Sequence, residues 1–320
     1  MDKTLLLTDH VIESARGHGF ELVGVCDATP PQSYSLFQEW LKDGKHGTMG
    51  YLERNQEIRS DPKSLLPGVR SIVAVGLNYN QDPTSDTEGP RIARYALGRD
   101  YHKTLRGKLR SVQKVIEDSQ PGTLCRICVD SAPILEREFA MRAGLGWFGK
   151  NTCLINSHRG SWFFIGLLLT TAELQPSSPA VGGCGTCQIC IDACPTGAIV
   201  LDQDRWQIDS RRCVSYLTIE HRGEIDPDLV KGIGDWTYGC DVCQDVCPFN
   251  KARPGQPLRA SRTGEPDFRR LRTWPKLEVL ANLDWKEWDE ATRGSAVRRT
   301  GLEGLRRNAR LNLANKREPR

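Results

Sequence analysis

Twelve cysteines fall in this 320-residue sequence, and eight of them stand at spacings that suit iron–sulfur chemistry. Cys184, Cys187, Cys190 and Cys194 are followed by Pro195, giving C-x2-C-x2-C-x3-C-P, a run by which cubane [4Fe-4S] clusters are held. A second, incomplete copy follows at Cys240, Cys243, Cys247 and Pro248. Thr237 stands where its leading cysteine belongs, and Cys213, between the runs, is the natural replacement.

In two-cluster ferredoxins the last cysteine of each run crosses to the other cluster. That rule puts one cluster on Cys184, Cys187, Cys190 and Cys247, and the other on Cys194, Cys213, Cys240 and Cys243. Thiolate pairs at C-x2-C also bind zinc. Zinc leaves unexplained a four-cysteine run that ends in Cys-Pro, recurs, and shares ligands between its copies.

Composition sets the frame for this chemistry. With 38% hydrophobic and 26% charged residues, the chain reads as an ordinary globular protein. Its first ten residues carry no apolar signal segment, and cluster ligands must stay reduced, so the expected compartment is the cytoplasm. The longest apolar stretch, 162–169, is far short of the roughly 20 residues a membrane span needs. Charge is uneven: residues 251–320 hold 18 Lys+Arg against 9 Asp+Glu, which suggests a polyanion docking at that end.

The elements that must position the clusters come from periodicity. Residues 4–18 have helical spacing, 21–26 read as a short strand, and 34–43 as a second helix. Residues 71–79 form a strongly β-prone buried strand, 81–90 a polar loop, and 94–102 lead into a helix rich in Lys and Arg. A strand over 124–129 ends at Asp130 and precedes a helix over 134–143, and the runs 152–156 and 161–170 suggest a hairpin. Residues 176–183 are punctuated by Pro, Ser and Gly, which marks a domain boundary. Near the end Ser295 can cap a short helix, and Leu302, Leu305, Ala309 and Leu313 form the apolar side of another.

Single residues are weaker signals. Arg54, beside the glycine-containing segment 44–50, could meet an anionic group and is a candidate cofactor contact, although a solvated charge is the commoner case. Asp100-x-His102 begins a cobalt-ligating D-x-H-x-x-G motif, but Leu105 replaces its glycine, so His102 is expected not to bind metal. Asp130 by itself reads as a turn or capping residue ahead of Pro133. Cys26 reads as buried and inert, and Cys125 and Cys128 fall on opposite faces of a strand. Arg298, Arg299, Arg306, Arg307 and Arg310 belong to a tail in which residues 291–320 carry nine basic against two acidic side chains, the footprint of a phosphate-backbone contact.

Taken with the segments MGYLER, ARYALGRDYHK, VDSAPILER, AGLGWFGKNT, RRCVSYLTIE, YGCDVCQDVCP and GSAVRRTGLEGLRRN, the cysteine runs make the sequence resemble the epoxyqueuosine reductases, cobalamin-dependent iron–sulfur enzymes of tRNA queuosine synthesis related to reductive dehalogenases. The resemblance implies an α+β fold: a nitroreductase-like cobalamin-binding catalytic domain at 1–175, a ferredoxin-like domain with two [4Fe-4S] clusters at 176–255, and a basic, HEAT-like helical region at 256–320 that contacts tRNA. Many members continue into further helices beyond the point where this sequence stops.

The implied reaction reduces epoxyqueuosine to queuosine in the anticodon stem-loop, with cobalamin cycling between cob(II)alamin and cob(I)alamin. Asp130 would donate a proton, and Asp130, Ser215 and Asp241 would contact cobalamin. Asp130 would have to be protonated at neutral pH, which burial away from cations would favour. The partners expected are the modified tRNA and an external one-electron donor such as ferredoxin or flavodoxin, with no membrane and a monomeric chain. Rival readings are a corrinoid iron–sulfur reductase of small organic substrates, or a ferredoxin-type electron carrier.

Overall fold

The computed structural model describes residues 3–82, 89–269 and 273–317, so most of the polar loop expected at 81–90 lies outside the described residues. Its organising element is Ser71–Asn78, a strand buried at every position, as an apolar run with no polar alternation requires. This strand lies between Leu22–Asp27 and Phe163–Thr170, and Cys125–Cys128 completes a four-stranded sheet in which every pairing is antiparallel.

Both faces of the sheet are covered. On one, Leu7, Val11 and Ala15 of the helix Lys3–Gly17 and Leu105, Leu109, Val112 and Ile116 of the helix Tyr101–Ser119 pack on Val73, Val75 and Leu168. On the other, Phe139 and Ala140 of Glu136–Arg142, with Leu65 and Leu66, pack on Ile72, Ala74, Leu167 and Leu169. Helices flanking an antiparallel sheet make this unit α+β. Cys125 faces the first core and Cys128 the second, as the alternation of a strand demands.

The hairpin expected between 152–156 and 161–170 does not form as paired strands. Leu154–Ile155 instead pairs with Trp147–Phe148, while Phe163–Thr170 enters the main sheet, and a single bridge between Asn156 and Gly160 joins the two. Asn156 diverts the chain: its side chain donates to Leu145 O (2.8 Å) and accepts from His158 N (2.9 Å).

The later segments are interleaved with this unit. Arg91–Ile92 pairs in parallel with Trp236–Tyr238, beside the second cysteine run. The sequence boundary after residue 255 is not a boundary in space. Thr263 N donates to Asn80 O (2.7 Å), Arg99 N donates to Asp267 O (2.7 Å), and Phe268 is buried in the core of the N-terminal unit.

Beyond residue 273 a helical module closes around Leu277, Leu280, Trp288, Val297, Leu305 and Ala309. Ser295 caps it as expected, with its Oγ accepting from Val297 N at 3.2 Å. The terminal helix Gly301–Arg317 then docks through two buried asparagines. Asn308 donates to Thr218 O (2.7 Å) and Thr237 O (2.9 Å), and Asn312 donates to Gly234 O and Trp236 O. Thr237, at the position of the missing cysteine, is fully buried and bonds to Asn312, so its role is to seat this helix.

Candidate active site

A short helix lies within each cysteine run, Ile189–Asp192 and Val242–Asp245, and the two pack against each other. This brings the eight thiols into two sets. Burial, followed by the nearby thiols of Cys184, Cys247 and Cys187, pushes Cys190 up to about 11. Burial, followed by Cys213, Asp241 and Cys194, pushes Cys240 up to about 12, and Cys243 is raised first by its hydrogen bond to Cys153 and by burial, then by Cys240 and Cys213. Cys190 thus has Cys184, Cys187 and Cys247 as neighbours, and Cys240 has Cys194 and Cys213.

A cationic group placed among thiols favours their thiolate forms. The donors around them fit such a group. Ala198 N lies 3.2 Å from Cys194 Sγ, and the backbone amides of Ser215 and Tyr216 point at Cys213. The indole Nε1 of Trp147, which packs on Cys184 and Cys247, is buried without a partner among the described residues. N–H groups aimed at cluster sulfur are the usual means of holding and tuning these centres.

The sequence missed Cys153. It lies in hydrogen-bond contact with Cys243 and close enough to Cys213 and Cys247 to affect both, so it sits between the two sets. Spacing gives no hint of this, because Cys153 arrives on the small hairpin Trp147–Ile155.

Asp130 ends the edge strand Cys125–Cys128 in a left-handed conformation, φ 57°, unusual for a residue other than glycine. Its N–H donates to Oε1 of the half-buried Glu136 (2.6 Å), which holds the turn. Its carboxylate is 61% exposed. His102 Nε2 lies 3.1 Å from Asp130 Oδ2, and His102 Nδ1 lies 2.6 Å from Asp100 Oδ1.

Burial disfavours the imidazolium, but hydrogen bonds to Asp100 and Asp130 outweigh it and bring the pKa of His102 up to about 9. For Asp130, partial burial would raise the pKa; the hydrogen bond and charge of His102, the Tyr101 hydroxyl and the charge of Arg299 together lower it. This corrects the expectation of a carboxyl kept neutral away from cations. The two carboxylates favour the protonated imidazole of His102 beside Asp130. Burial and then the Asp130 charge lift Glu136 to about 8.

The other candidate contacts are placed as follows. Arg54 is exposed, in the loop before Gln56–Ser60. Ser215 is half-buried on Val214–Ile219, next to Tyr216, whose hydroxyl accepts from Thr48 N (2.7 Å) and so ties the segment 44–54 to the cluster unit. Asp241 is buried, accepts from Arg94 N (2.9 Å), and is lifted to about 7 by burial, which the nearby Arg94 only partly offsets.

Among the basic residues, Arg299 comes near Asp130. It pairs with Glu220 (2.9 Å), lies 5.2 Å over the Tyr51 ring, and contributes to the field at Asp130. Arg298 pairs with Asp289 and stacks on Trp288. Arg306 donates to Leu283 O and Arg310 to Ala281 O.

Arg307 overturns its expected role as a phosphate contact. Its guanidinium donates to Leu217 O (2.6 Å), His221 O (3.0 Å) and Gly223 O (2.8 Å), and burial, then Arg222, lowers its pKa to about 10. Arg307→Met should therefore lower unfolding stability by about 2 kcal/mol, the scale of a lost charged hydrogen bond. Chemical denaturation measures this, and RNA binding should keep its salt dependence.

A double-cluster iron–sulfur unit joined to an α+β domain is the class that this architecture defines. Residues 183–250 match the family model described as "4Fe-4S double cluster binding domain", and residues 59–131 match "Epoxyqueuosine reductase QueG, DUF1730". The epoxyqueuosine reductase of Xanthomonas campestris pv. campestris is 41% identical over 313 residues, covering 94% of this chain and 84% of the relative. A crystal structure of epoxyqueuosine reductase with an epoxyqueuosine-modified tRNA-Tyr stem loop superposes with a TM-score of 0.82 at 31% identity, covering 97% of this chain and 81% of that one. The Bacillus subtilis epoxyqueuosine reductase, solved with its catalytic aspartate loop swung out of the active site, also gives a TM-score of 0.82, at 30% identity and with 97% and 82% coverage. The chain belongs to the epoxyqueuosine reductase family. No helix among the described residues is long and apolar enough to cross a membrane.

Proposed function

We propose that this chain reduces the epoxide of epoxyqueuosine in the anticodon loop of tRNA, giving queuosine. The observation that carries the reading is the exposed Asp130–His102 pair in a chain whose residues 183–250 match a double-cluster binding domain. Cys184, Cys187, Cys190 and Cys247 would hold one [4Fe-4S] cluster, and Cys194, Cys213, Cys240 and Cys243 the other. Asp130, Arg54, Ser215 and Asp241 are the proposed cobalamin contacts. When bound, the clusters relay single electrons from an external carrier and the corrinoid supplies the low-potential reductant.

Turning an epoxide into an alkene takes two electrons and two protons and releases water. The leaving oxygen is a poor alkoxide, so a positioned acid helps. Asp130 is exposed beside His102, whose protonated imidazole is favoured, and Asp100 fixes the imidazole from its other nitrogen.

Anaerobic reconstitution with iron, sulfide and cobalamin, followed by incubation with epoxyqueuosine-containing tRNA and nucleoside mass spectrometry, tests the reading. About eight irons per chain, a retained corrinoid and queuosine as product are expected. Zinc in place of iron, or refusal of the corrinoid, would overturn it.

A further inference from the structure

The helix Tyr101–Ser119 starts at the active site and carries Lys103, Arg106, Lys108, Arg110 and Lys114, while its acidic residues, Glu117 and Asp118, come only at the far end. Leu105, Leu109, Val112 and Ile116 bury the opposite side. Lys103, Arg106, Arg110 and Lys114 follow one another at steps of three, four and four, so they share one face. Lys103, Arg110 and Lys114 are exposed and Arg106 is half-buried.

Two features set this stripe apart from an ordinary solvated helix face. First, like charges at these steps repel, and surface helices normally relieve that with interleaved acids. Among the described residues, none of the four forms an ion pair with a carboxylate. Second, the stripe leads to the chemistry: Arg106 Nη2 donates to Ser131 Oγ (2.8 Å), next to Asp130, and His102 on the same helix contacts Asp130 itself. From Lys103 to Lys114 the helix rises about 16 Å, enough to meet several successive phosphates. Arg306, Arg307 and Arg310, by contrast, are tied to backbone carbonyls.

We propose that this face, Lys103, Arg106, Arg110 and Lys114, is the track along which the RNA backbone beside the reacting nucleotide lies. The inference rests on the tRNA reading above. It places the principal phosphate contacts on the N-terminal domain, with Arg299 near Asp130. The contact is to phosphate, so it supplies affinity and register and carries no sequence information.

The test measures binding by fluorescence anisotropy, using the full-length holoprotein, an anticodon stem-loop RNA and a range of salt concentrations. Arg110→Gln/Lys114→Gln should weaken binding several-fold at low salt and make the slope of log K against log salt shallower by about 1.4 to 1.8, at 0.7 to 0.9 per lost contact. Iron and corrinoid content should stay at wild-type values. Lys63→Gln/Lys231→Gln removes the same charge from exposed positions elsewhere and should leave the slope nearly unchanged. If the two double variants shift the slope equally, or neither shifts it, the track is wrong although the tRNA reading stands. A wild-type protein that binds no stem-loop defeats both.

Discussion

Asp130→Asn should retain both clusters and the corrinoid but lose turnover by about 10²-fold or more, the usual cost of removing a positioned acid. The substitution conserves shape, and the turn is held by the Asp130 N–H on Glu136 rather than by the carboxylate, so the fold should survive. The structure adds a second readout. His102 owes its pKa of about 9 to two carboxylates, and removing one should bring its titration down, visible by NMR of the imidazole. Near-wild-type turnover with an unmoved His102 would remove Asp130 from the chemistry.

The pair also sets a pH dependence. A histidine raised from 6.5 to about 9 in the fold contributes stability that is complete below 6.5 and is lost as pH rises through about 9. Asp130 has the opposite sign: its lowered pKa contributes above the unfolded value and is lost as pH falls through the folded one. The proton is shared within a network of Asp100, His102, Asp130 and Glu136 with Arg299 nearby, so the steps belong to the group rather than to one residue. Turnover should hold across neutral pH and fall as the network loses protons between about 8 and about 9, and His102→Gln should move that alkaline limb downward.

How much of this was legible from sequence depended on how local the signal was. The cluster cysteines could be read because a cubane fixes ligand spacing within a few residues. The buried strand at 71–78 and the edge strand before Asp130 could be read because side-chain periodicity is local too. The histidine partner of Asp130 could not, because 28 positions separate the two and the failed D-x-H-x-x-G motif pointed away from function. Arg307 misled for a related reason: a basic side chain on a basic helix reads as solvated, and only tertiary packing reveals three carbonyls waiting for it. Asn308 and Asn312 are polar residues in a helical pattern, and their burial follows from Thr237 and the neighbouring carbonyls rather than from any periodicity.

Cys153 poses the sharpest remaining question, because five thiols now stand where four are needed. It contacts Cys243, yet its hairpin is fixed independently: Asn151 Oδ1 accepts from Cys153 N (3.2 Å), Cys153 O accepts from Gly149 N (2.8 Å), and Thr152 turns with φ 61°. Cys243, by contrast, lies on the short helix that follows Cys240 and shares its set with Cys213, the arrangement a cubane requires. Cys243→Ala should therefore reduce iron from about eight to about four per chain and abolish tRNA reduction, because the electron path would be broken at one of its two relays. Cys153→Ala should keep about eight irons and an intact pair of cluster EPR signals, since it removes a neighbour and not a ligand. The reverse pattern, iron lost with Cys153 and kept without Cys243, would move the ligand to the hairpin and make the N-terminal domain itself part of the cluster site.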